Sequence, residues 1–332
     1  MGLLMTIALI LALLHFGVPL SYYYYLKKWW LSKPWNIRRD PGYKPKVSII
    51  VPTYNEAGLI ESKLDDLAKQ DYPRELVEVI VVDSASTDGT PEKVEEWARR
   101  NPDVKLALIR EPTRRGKAHA LNNALKYATG DIVVITDVDT TWSSNDTLSN
   151  AVLWFNDLSV GAVTCLKLPA GKGIMRVEEG YREFYNVVRL AESKKHSTPV
   201  FHGELAAFRR SLLEKVGGFP TNIGADDSHT ATKIALMGYR VIAVDNAWCV
   251  ENVPRSRYHT WRIRRAQHLI QHFMAILKHL WRAPRELRET LLVEVYLHLL
   301  NPWILVIAVA ILLYLALNPS IVAIALIALG AT

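Results

Sequence analysis

The stretch Asp131-Ile-Val-Val-Ile-Thr-Asp137-Val-Asp139 decides how this chain is read. Four consecutive aliphatic residues, all β-branched, predict a strand buried on both faces. Its carboxyl end runs at once into two acids, Asp137 and Asp139. Upstream the pattern recurs. Val47-Ser-Ile-Ile-Val51, closed by Pro52, and Val79-Ile-Val-Val82 read as buried strands, and 104–109 as a third. Helical stretches over 58–69, 91–100 and 118–128 fall between them, the second with Asp88 or Thr90 as its N-cap. Strands alternating with helices predict an α/β domain. Its sheet is mostly parallel, with helices on both faces and right-handed crossovers. There are no internal repeats and no low-complexity segment.

The chain has 332 residues, 50% hydrophobic and 22% charged, a balance that excludes disorder. Cys165 and Cys249 are the only cysteines, which excludes a disulfide scaffold and a Cys-rich zinc module. The net charge of +7 points to an anionic partner. A mean hydropathy of +0.06 is high for a soluble enzyme, and the apolar excess sits at the two ends. No charged residue occurs from Met1 to Leu26, and the run stops at Lys27, Lys28, Trp29 and Trp30. That is the length and flanking chemistry of a membrane helix. A cleaved leader would need a basic start and a small-residue cleavage site, and neither is present.

A second apolar run follows Glu294, punctuated by Asn301-Pro302 and Asn318-Pro319. It predicts a helix over 291–317, a turn, and a short piece over 320–330 that is re-entrant or the start of a further span. The expected organisation is therefore a transmembrane helix over 1–30, an α/β domain over 44–255, basic amphipathic helices over 256–290 and transmembrane helices over 291–332. Lys27, Lys28, Lys33, Arg38, Arg39, Lys44 and Lys46 all follow the first run. The positive-inside bias then makes this a multi-pass protein of the cell membrane with a cytoplasmic middle. Trp261 to Arg288 carries Ile263, Ile270, Phe273, Met274, Leu277 and Trp281 among ten Arg, Lys and His positions, the pattern of a membrane-surface helix. Ile174, Val177, Tyr181, Phe184 and Val188 form a helical apolar stripe, interfacial or part of the core. With the basic residues beside the apolar segments, membrane lipids are expected partners and nucleic acid is not.

In a parallel sheet, ligands sit at the carboxyl ends of the strands. There the chain places Pro52-Thr-Tyr-Asn-Glu56, Asp83 to Gly89, and Asp137-Val-Asp139, with Arg114, Arg115 and Lys117 nearby. Clustered carboxylates are costly unless a cation neutralises them. Alternate spacing in an extended segment puts Asp137 and Asp139 on one side, a geometry suited to a hard divalent metal shared with substrate phosphates.

Residues 47–57, 81–90, Arg115-Gly-Lys-Ala-His-Ala-Leu-Asn122 and Asp137-Val-Asp139 together resemble the inverting family 2 glycosyltransferases with the GT-A fold. The likeness extends to their membrane-bound polysaccharide synthases and lipid-linked sugar transferases, and covers about 46–267. It implies a nucleotide-sugar donor, UDP- or GDP-linked, and Mg2+ or Mn2+. It further implies a donor-binding set of Pro52, Thr53, Tyr54, Glu56, Asp83, Lys117, Asp137 and Arg264. In that set Lys117 lies near the diphosphate, and Asp137 and Asp139 hold the metal. Phe201-His-Gly-Glu-Leu205 resembles an acceptor-side segment, giving His202, Gly203 and Glu204. Gly224-Ala-Asp-Asp-Ser228 resembles the family's acidic pair, placing Asp226 on the acceptor side and Asp227 as general base. The processive members' Q-x-x-R-W element is altered: Arg264 keeps the Arg position, but Trp261 and Arg265 replace the Gln and Trp. That departure speaks against polymerisation.

The expected activity is inverting, metal-dependent sugar transfer to a lipid-linked or saccharide acceptor. A polyprenyl-phosphate sugar transferase and a catalytically idle scaffold of the same fold remain open. A nucleotidyltransferase would need a Gly-rich N-terminal phosphate loop, which is lacking. Three short spans are few for exporting a polymer, so a channel would require several chains to assemble into an oligomer.

Overall fold

The computed structural model describes residues 2–170, 176–252 and 257–317. β1 (Val47–Thr53) lies between β2 (Val77–Asp83) and β4 (Ile132–Ile135), parallel to both, with β3 (Leu106–Arg110) parallel beyond β2. Beyond β4 the sheet turns mixed. β7 (Ala206–Arg209) is antiparallel to β4 and to β6 (Val160–Ala170). β6 runs parallel to β8 (Arg240–Asn252), and β5 (Thr140–Trp142) closes the far edge antiparallel to β8. The order is β3-β2-β1-β4-β7-β6-β8-β5. Parallel pairings hold a bare majority, because the second half of the chain returns its strands in both directions.

Alternating side chains build two cores, one on each face. Ile49, Val51, Val79, Val81, Ile132 and Val134 pack with helices α2 (Ile60–Ala68) and α3 (Thr90–Arg100). Ile50, Ile80, Val82, Val133 and Ile135 pack with α4 (Lys117–Leu125). β1 extends past Val51 through Pro52 to Thr53. It is paired to β4 only as far as Ile50, so Pro52, which has no N–H, breaks no ladder there. The chains on either side of that point diverge and leave a cleft at the carboxyl ends of β1 and β4. The N-cap position of α3 is Gly89, with φ +89°. The Asp88 carboxylate accepts the Thr90 N–H at 3.1 Å.

Three further helices follow β4 and β5: α5 (Thr147–Val152), α6 (Arg176–Lys195) and α7 (Arg210–Lys215). α8 (Asp226–Leu236) and α9 (Tyr258–Leu277) complete the domain. α9 is two-faced. Phe273, Ile276 and the following Leu280 sit in the second core, whereas Ile263, Ile270, Met274, Leu277 and Trp281 are exposed. Phe273 therefore belongs to the core and not to the surface face that its spacing suggested. In the stripe of α6, Ile174 lies outside the described residues. Phe184 stacks on Tyr23 at 4.5 Å, and Val188 packs with Tyr22 and Leu26.

Those partners belong to α1 (Gly2–Leu26), which continues through a wide π turn over Lys27–Leu31. A second long helix comprises α10 (Arg285–Val295), a π turn over Tyr296–Leu300, and α11 (Asn301–Leu317). It starts six residues before the expected 291, and Asn301-Pro302 does not interrupt it. A proline ring clashes with the carbonyl four residues back in a regular helix, and the wider turn just before Pro302 relieves this. The Tyr296 hydroxyl donates to the Leu14 carbonyl at 2.9 Å, tying α1 to this helix. Both helices, 2–31 and 285–317, are long and apolar enough to cross a membrane. The expected turn at Asn318-Pro319 and the piece over 320–330 lie outside the described residues.

Arg189, on α6, is buried between two carboxylates: it donates to Glu192 at 3.1 Å and to Glu294 of α10 at 2.6 Å. Glu192 also accepts from the Tyr22 and Thr198 hydroxyls at 2.9 and 2.7 Å. One guanidinium thus joins both terminal helices to the α/β domain. Burial, then Glu294, push the Glu192 carboxyl up to about 8, against the pull of Arg189. Removing one member of a buried ion pair leaves an uncompensated charge, at a cost of about 3–5 kcal/mol. Arg189→Met is therefore expected to lower the melting temperature of the detergent-solubilised chain by several degrees. An unchanged melting curve would contradict this clamp.

Candidate active site

The cleft at the strand ends opens into a cavity of about 930 Å3. Pro52, Thr53, Tyr54, Glu56, Lys117, Asp137, Asp139, His202, Gly203, Glu204, Asp226, Asp227 and Arg264 all line it. Asp83 does not form part of the wall; its carboxylate accepts from the Thr53 hydroxyl at 3.3 Å and the Ser86 N–H at 3.0 Å. Those bonds hold the loop after β2.

That loop and the one after β1 are latched together. The Asn55 N–H donates to Ser86, the Thr87 N–H to Asn55, the Glu56 N–H to Thr90 and the Ala57 N–H to Asp88, all at 2.8–2.9 Å. Asn55 accommodates a φ of +55°, a conformation Asn tolerates better than most residues. The latch presents Tyr54 to the cavity, with the Arg114 guanidinium 3.8 Å above its ring.

At the cavity's centre the Lys117 ammonium meets Asp137 at 2.6 Å. Lys117 opens α4 directly after Gly116, whose φ of +103° suits glycine. The pair is crowded from the other side: the Asp137 N–H donates to the Gly203 carbonyl at 3.0 Å. A Cβ built at Gly203 would stand 2.7 Å from Asp137 Oδ2 and 2.9 Å from Lys117 Nζ. Gly203 thus lies in close approach to the Lys117–Asp137 pair, and a side chain there would displace the tips of both. Asp137-Val-Asp139 forms a turn, not an extended segment, because Val138 is buried beneath it. Both acids still reach the cavity.

The charges do not cancel. Cavity walls desolvate Asp139 and, with Asp137, Glu204 and Glu251, push its carboxyl up to about 6 against the pull of Lys117. Glu56 is raised by burial and by Asp139, Asp88 and Asp137. Asp226 and Asp227 open α8. Burial, then Asp226, push Asp227 up to about 7, with Lys117 opposing. Burial raises Asp226 as well, again with Lys117 opposing, and its Oδ2 is buried without a hydrogen-bond partner. Asp227 Oδ1 accepts the Ser228 N–H at 2.6 Å, which leaves its other oxygen free to take a proton. Burial opposes the Lys117 charge, but Asp137, Asp226 and Asp227 outweigh it and hold the ammonium protonated. His202 is held neutral by burial and by Lys167 and Arg265.

The cavity wall around Glu204 and Glu251 holds a buried ionic lattice that the sequence did not reveal. Lys167 pairs with Glu204 and with Glu251 at 3.5 Å; Arg182 pairs with Glu251 and with Glu178 at 3.1 Å. Arg262 meets Glu178 at 3.3 Å, and Arg265 pairs with Glu251. Burial works against the Glu204 carboxylate, yet Lys167 and Arg265 hold it at about 2. Arg265 also lies 4.7 Å from the Trp261 ring centre. The two residues that replace the Gln and Trp of the processive motif thus contact each other, and both line the cavity together with Arg264. No local pattern signals these pairs, which join β6, α6, the segment before β7, β8 and α9.

Among the described residues, no three His, Cys, Asp or Glu side chains converge to form a metal cage. Asp137 and Asp139 offer an open pair of hard oxygen donors, and no protein donor among the described residues bonds the Asp139 carboxylate. Such a pair fits Mg2+ or Mn2+, whose remaining ligands come from phosphate oxygens and water.

Comparison with known proteins agrees with this geometry. A family model described as glycosyl transferase family 2 matches residues 48–217. Among solved structures, the mannosyltransferase PcManGT from Pyrobaculum calidifontis, in complex with GDP-Man and Mn2+, is 57% identical. The match covers 99% of this chain and 91% of that one, with a TM-score of 0.92. Of the curated relatives, the Bacillus subtilis protein named "Probable glycosyltransferase YdaM" is 27% identical over 66% of this chain. The poly-beta-1,6-N-acetyl-D-glucosamine synthase of Staphylococcus epidermidis is 25% identical over 74%. This chain spans 54% and 60% of their respective lengths.

The raised acids make a pH-dependent stability the expected outcome. An ordinary Asp has a pKa of about 3.9 in the unfolded chain, whereas Asp227 titrates at about 7 when folded. Its contribution is full below pH ~4 and is lost as pH rises to about 7, because only the unfolded chain ionises in that window. Between pH 5 and pH 8 the metal-free chain should lose melting temperature relative to Asp227→Asn. His202, His229 and His272, whose pKa values burial lowers, shift both proteins alike in the opposite sense. A slope identical in the variant would contradict a buried, charge-crowded Asp227.

Proposed function

The chain belongs to glycosyl transferase family 2, and on that premise we propose that it transfers mannose from GDP-mannose, with inversion, to a hydroxyl of a lipid-linked saccharide. That it is a glycosyltransferase using a nucleotide-sugar donor agrees with its relatives. The choice of GDP-mannose rests on the 57% identity to a mannosyltransferase bound to GDP-Man and Mn2+. The observation that carries the mechanism is the meeting of Lys117, Asp137, Asp139, Asp226 and Asp227 on one cavity wall system.

Tyr54, with Arg114 over its ring, offers a stacking surface for the nucleobase. Lys117 and Arg264 face the diphosphate, whose charge grows as it leaves. Asp137 and Asp139 would hold the Mn2+ or Mg2+, which supplies Lewis-acid neutralisation of that leaving group when bound. Asp227 accepts the acceptor's hydroxyl proton as that oxygen bonds the anomeric carbon. The bond from that carbon to the diphosphate breaks, and its electron pair leaves with GDP. A base poised near neutral pH suits a hydroxyl nucleophile. A lipid phosphate is already anionic there, with a second pKa of about 6, and would need none.

The lipid-linked acceptor is supported by the shape of the cavity. Its wall runs past Tyr181 and Tyr185 to Leu269, Ile270, Leu297 and Pro302. The last two belong to the helix over 285–317, one of the two long enough to cross a membrane. We place that helix and α1 in the membrane, with the α/β domain on the cytoplasmic face. The exposed apolar side of α9 then rests on the headgroups.

The test uses the detergent-solubilised chain, GDP-mannose or UDP-N-acetylglucosamine, Mn2+ or Mg2+, and a membrane lipid extract. Expected are metal-dependent GDP release, a lipid-soluble mannosylated product of inverted anomeric configuration, and about 10²–10⁴-fold slower transfer in Asp227→Asn. Near-normal transfer in that variant would favour a lipid phosphate acceptor. Release of UDP in preference to GDP would overturn the donor assignment.

A further inference from the structure

Lys63 lies on α2, 1% exposed, within the core face that otherwise holds Ile60, Leu64 and Leu67. A dehydrated ammonium there is costly, and an apolar side chain of similar volume commonly serves stability as well or better. Its contacts show where the charge is directed. Lys63 Nζ donates to the Thr140 carbonyl at 3.0 Å and pairs with Asp66 at 3.5 Å. Asp66 in turn accepts the Trp142 N–H at 3.0 Å, and the ammonium stands 5.2 Å from the Trp142 ring centre. Lys63 and Asp66 therefore clip both ends of β5, the strand that begins immediately after Asp139.

The turn they support is anchored at its start, where Asp137 bonds Gly203 and Lys117, but is lightly held at Asp139. Asn252 donates to the Asp139 carbonyl at 3.0 Å, and the Thr140 hydroxyl to the Asp137 carbonyl at 2.9 Å. No donor among the described residues fixes the Asp139 carboxylate, so its position follows from the backbone alone. Behind the turn a second cavity of about 220 Å3 is lined by Lys63, Asp66, Val138, Asp139 and Asn252. Val138 and Asp139 line the main cavity too. The turn is thus a thin partition between two spaces, braced from the rear by Lys63.

We infer that Lys63 is a positioning residue for the metal-holding turn: through the Thr140 carbonyl it fixes Asp139 where a divalent ion and the donor diphosphate can share it. This rests on the proposed role of Asp137 and Asp139. The groups that orient metal ligands typically cost 10–100-fold in metal affinity when removed.

The test is Mn2+ binding to the full-length detergent-solubilised chain, read by the electron paramagnetic resonance signal of free Mn2+, with the metal alone and then with GDP. Lys63→Met is expected to weaken Mn2+ binding about tenfold while the chain still melts cooperatively. The same substitution in an Asp139→Asn background should add nothing, since both act on one ligand. Lys63→Leu, which likewise removes the donor to the Thr140 carbonyl, gives the same reading should the Met variant fail to fold. Unchanged Mn2+ affinity would make Lys63 a packing residue. Tighter binding would make it only a repelling charge. Additive losses with Asp139→Asn would show a diffuse structural defect. Any of these overturns the inference. Absence of Mn2+ binding by the unsubstituted chain would instead overturn the metal assignment on which it rests.

Discussion

The 2.6 Å contact between Lys117 and Asp137 holds together a site that otherwise repels itself. Glu56, Asp137, Asp139, Asp226 and Asp227 share one cavity, and Glu56, Asp139, Asp226 and Asp227 are raised by burial and by acidic neighbours. Arg115 and Arg264 line the same cavity, but among the described residues only Lys117 pairs with an acid of this cluster. The carboxyls respond by rising, Asp139 to about 6 and Asp227 to about 7. In the proposed reaction this cluster attracts the cation that arrives with a nucleotide diphosphate. The same rise leaves Asp227 able to take a proton near neutral pH. Much of the surrounding backbone serves that one contact. Gly116 lets α4 begin with Lys117 aimed inward, and Gly203 omits the Cβ that would push the pair apart.

Elsewhere the protein treats buried charge in the opposite way, neutralising it within itself. The lattice of Lys167, Arg182, Arg262 and Arg265 with Glu178, Glu204 and Glu251 pins α6 and α9 to the sheet. Arg189 does the same for the terminal helices. Helix α6 carries members of both sets, so one helix ties the cavity wall to the apolar terminal segments. This continuity supports an acceptor that brings its lipid with it, because the cavity wall changes from charged to apolar along α6 and α9 without a break.

The strands that build the site are legible in the sequence because their code is local. Runs such as Ile132-Val-Val-Ile135 specify burial on both faces, and the acids that follow them need only strand direction to meet at one edge. Thr53, Lys117, Asp137 and Asp227 stand out instead by likeness to a family's motifs, and the fold brings them to one cavity. What the sequence does not show depends on pairing over long separations. Arg189 with Glu294, and Lys167 with Glu204 and Glu251, look like ordinary surface charges until the fold brings them together. Lys63 sits at a core position of an amphipathic helix and carries no mark of its partner at Thr140. Local geometry also defeats two details. Val138 tucks under and makes a turn of an expected extended segment, and a wide π turn lets Pro302 sit within a continuous helix.

Donor binding in this site depends on whether the carboxylate cluster recruits the diphosphate through a divalent ion. The most direct measurement is the affinity of the unsubstituted chain for GDP by calorimetric titration, with and without Mn2+ at one pH and ionic strength. Strong binding is predicted with Mn2+ and little or none after chelation, since the cluster then repels the phosphates. Equal affinity in the two conditions would show that Lys117 and the neighbouring arginines suffice, and would contradict a metal-holding role for Asp137 and Asp139.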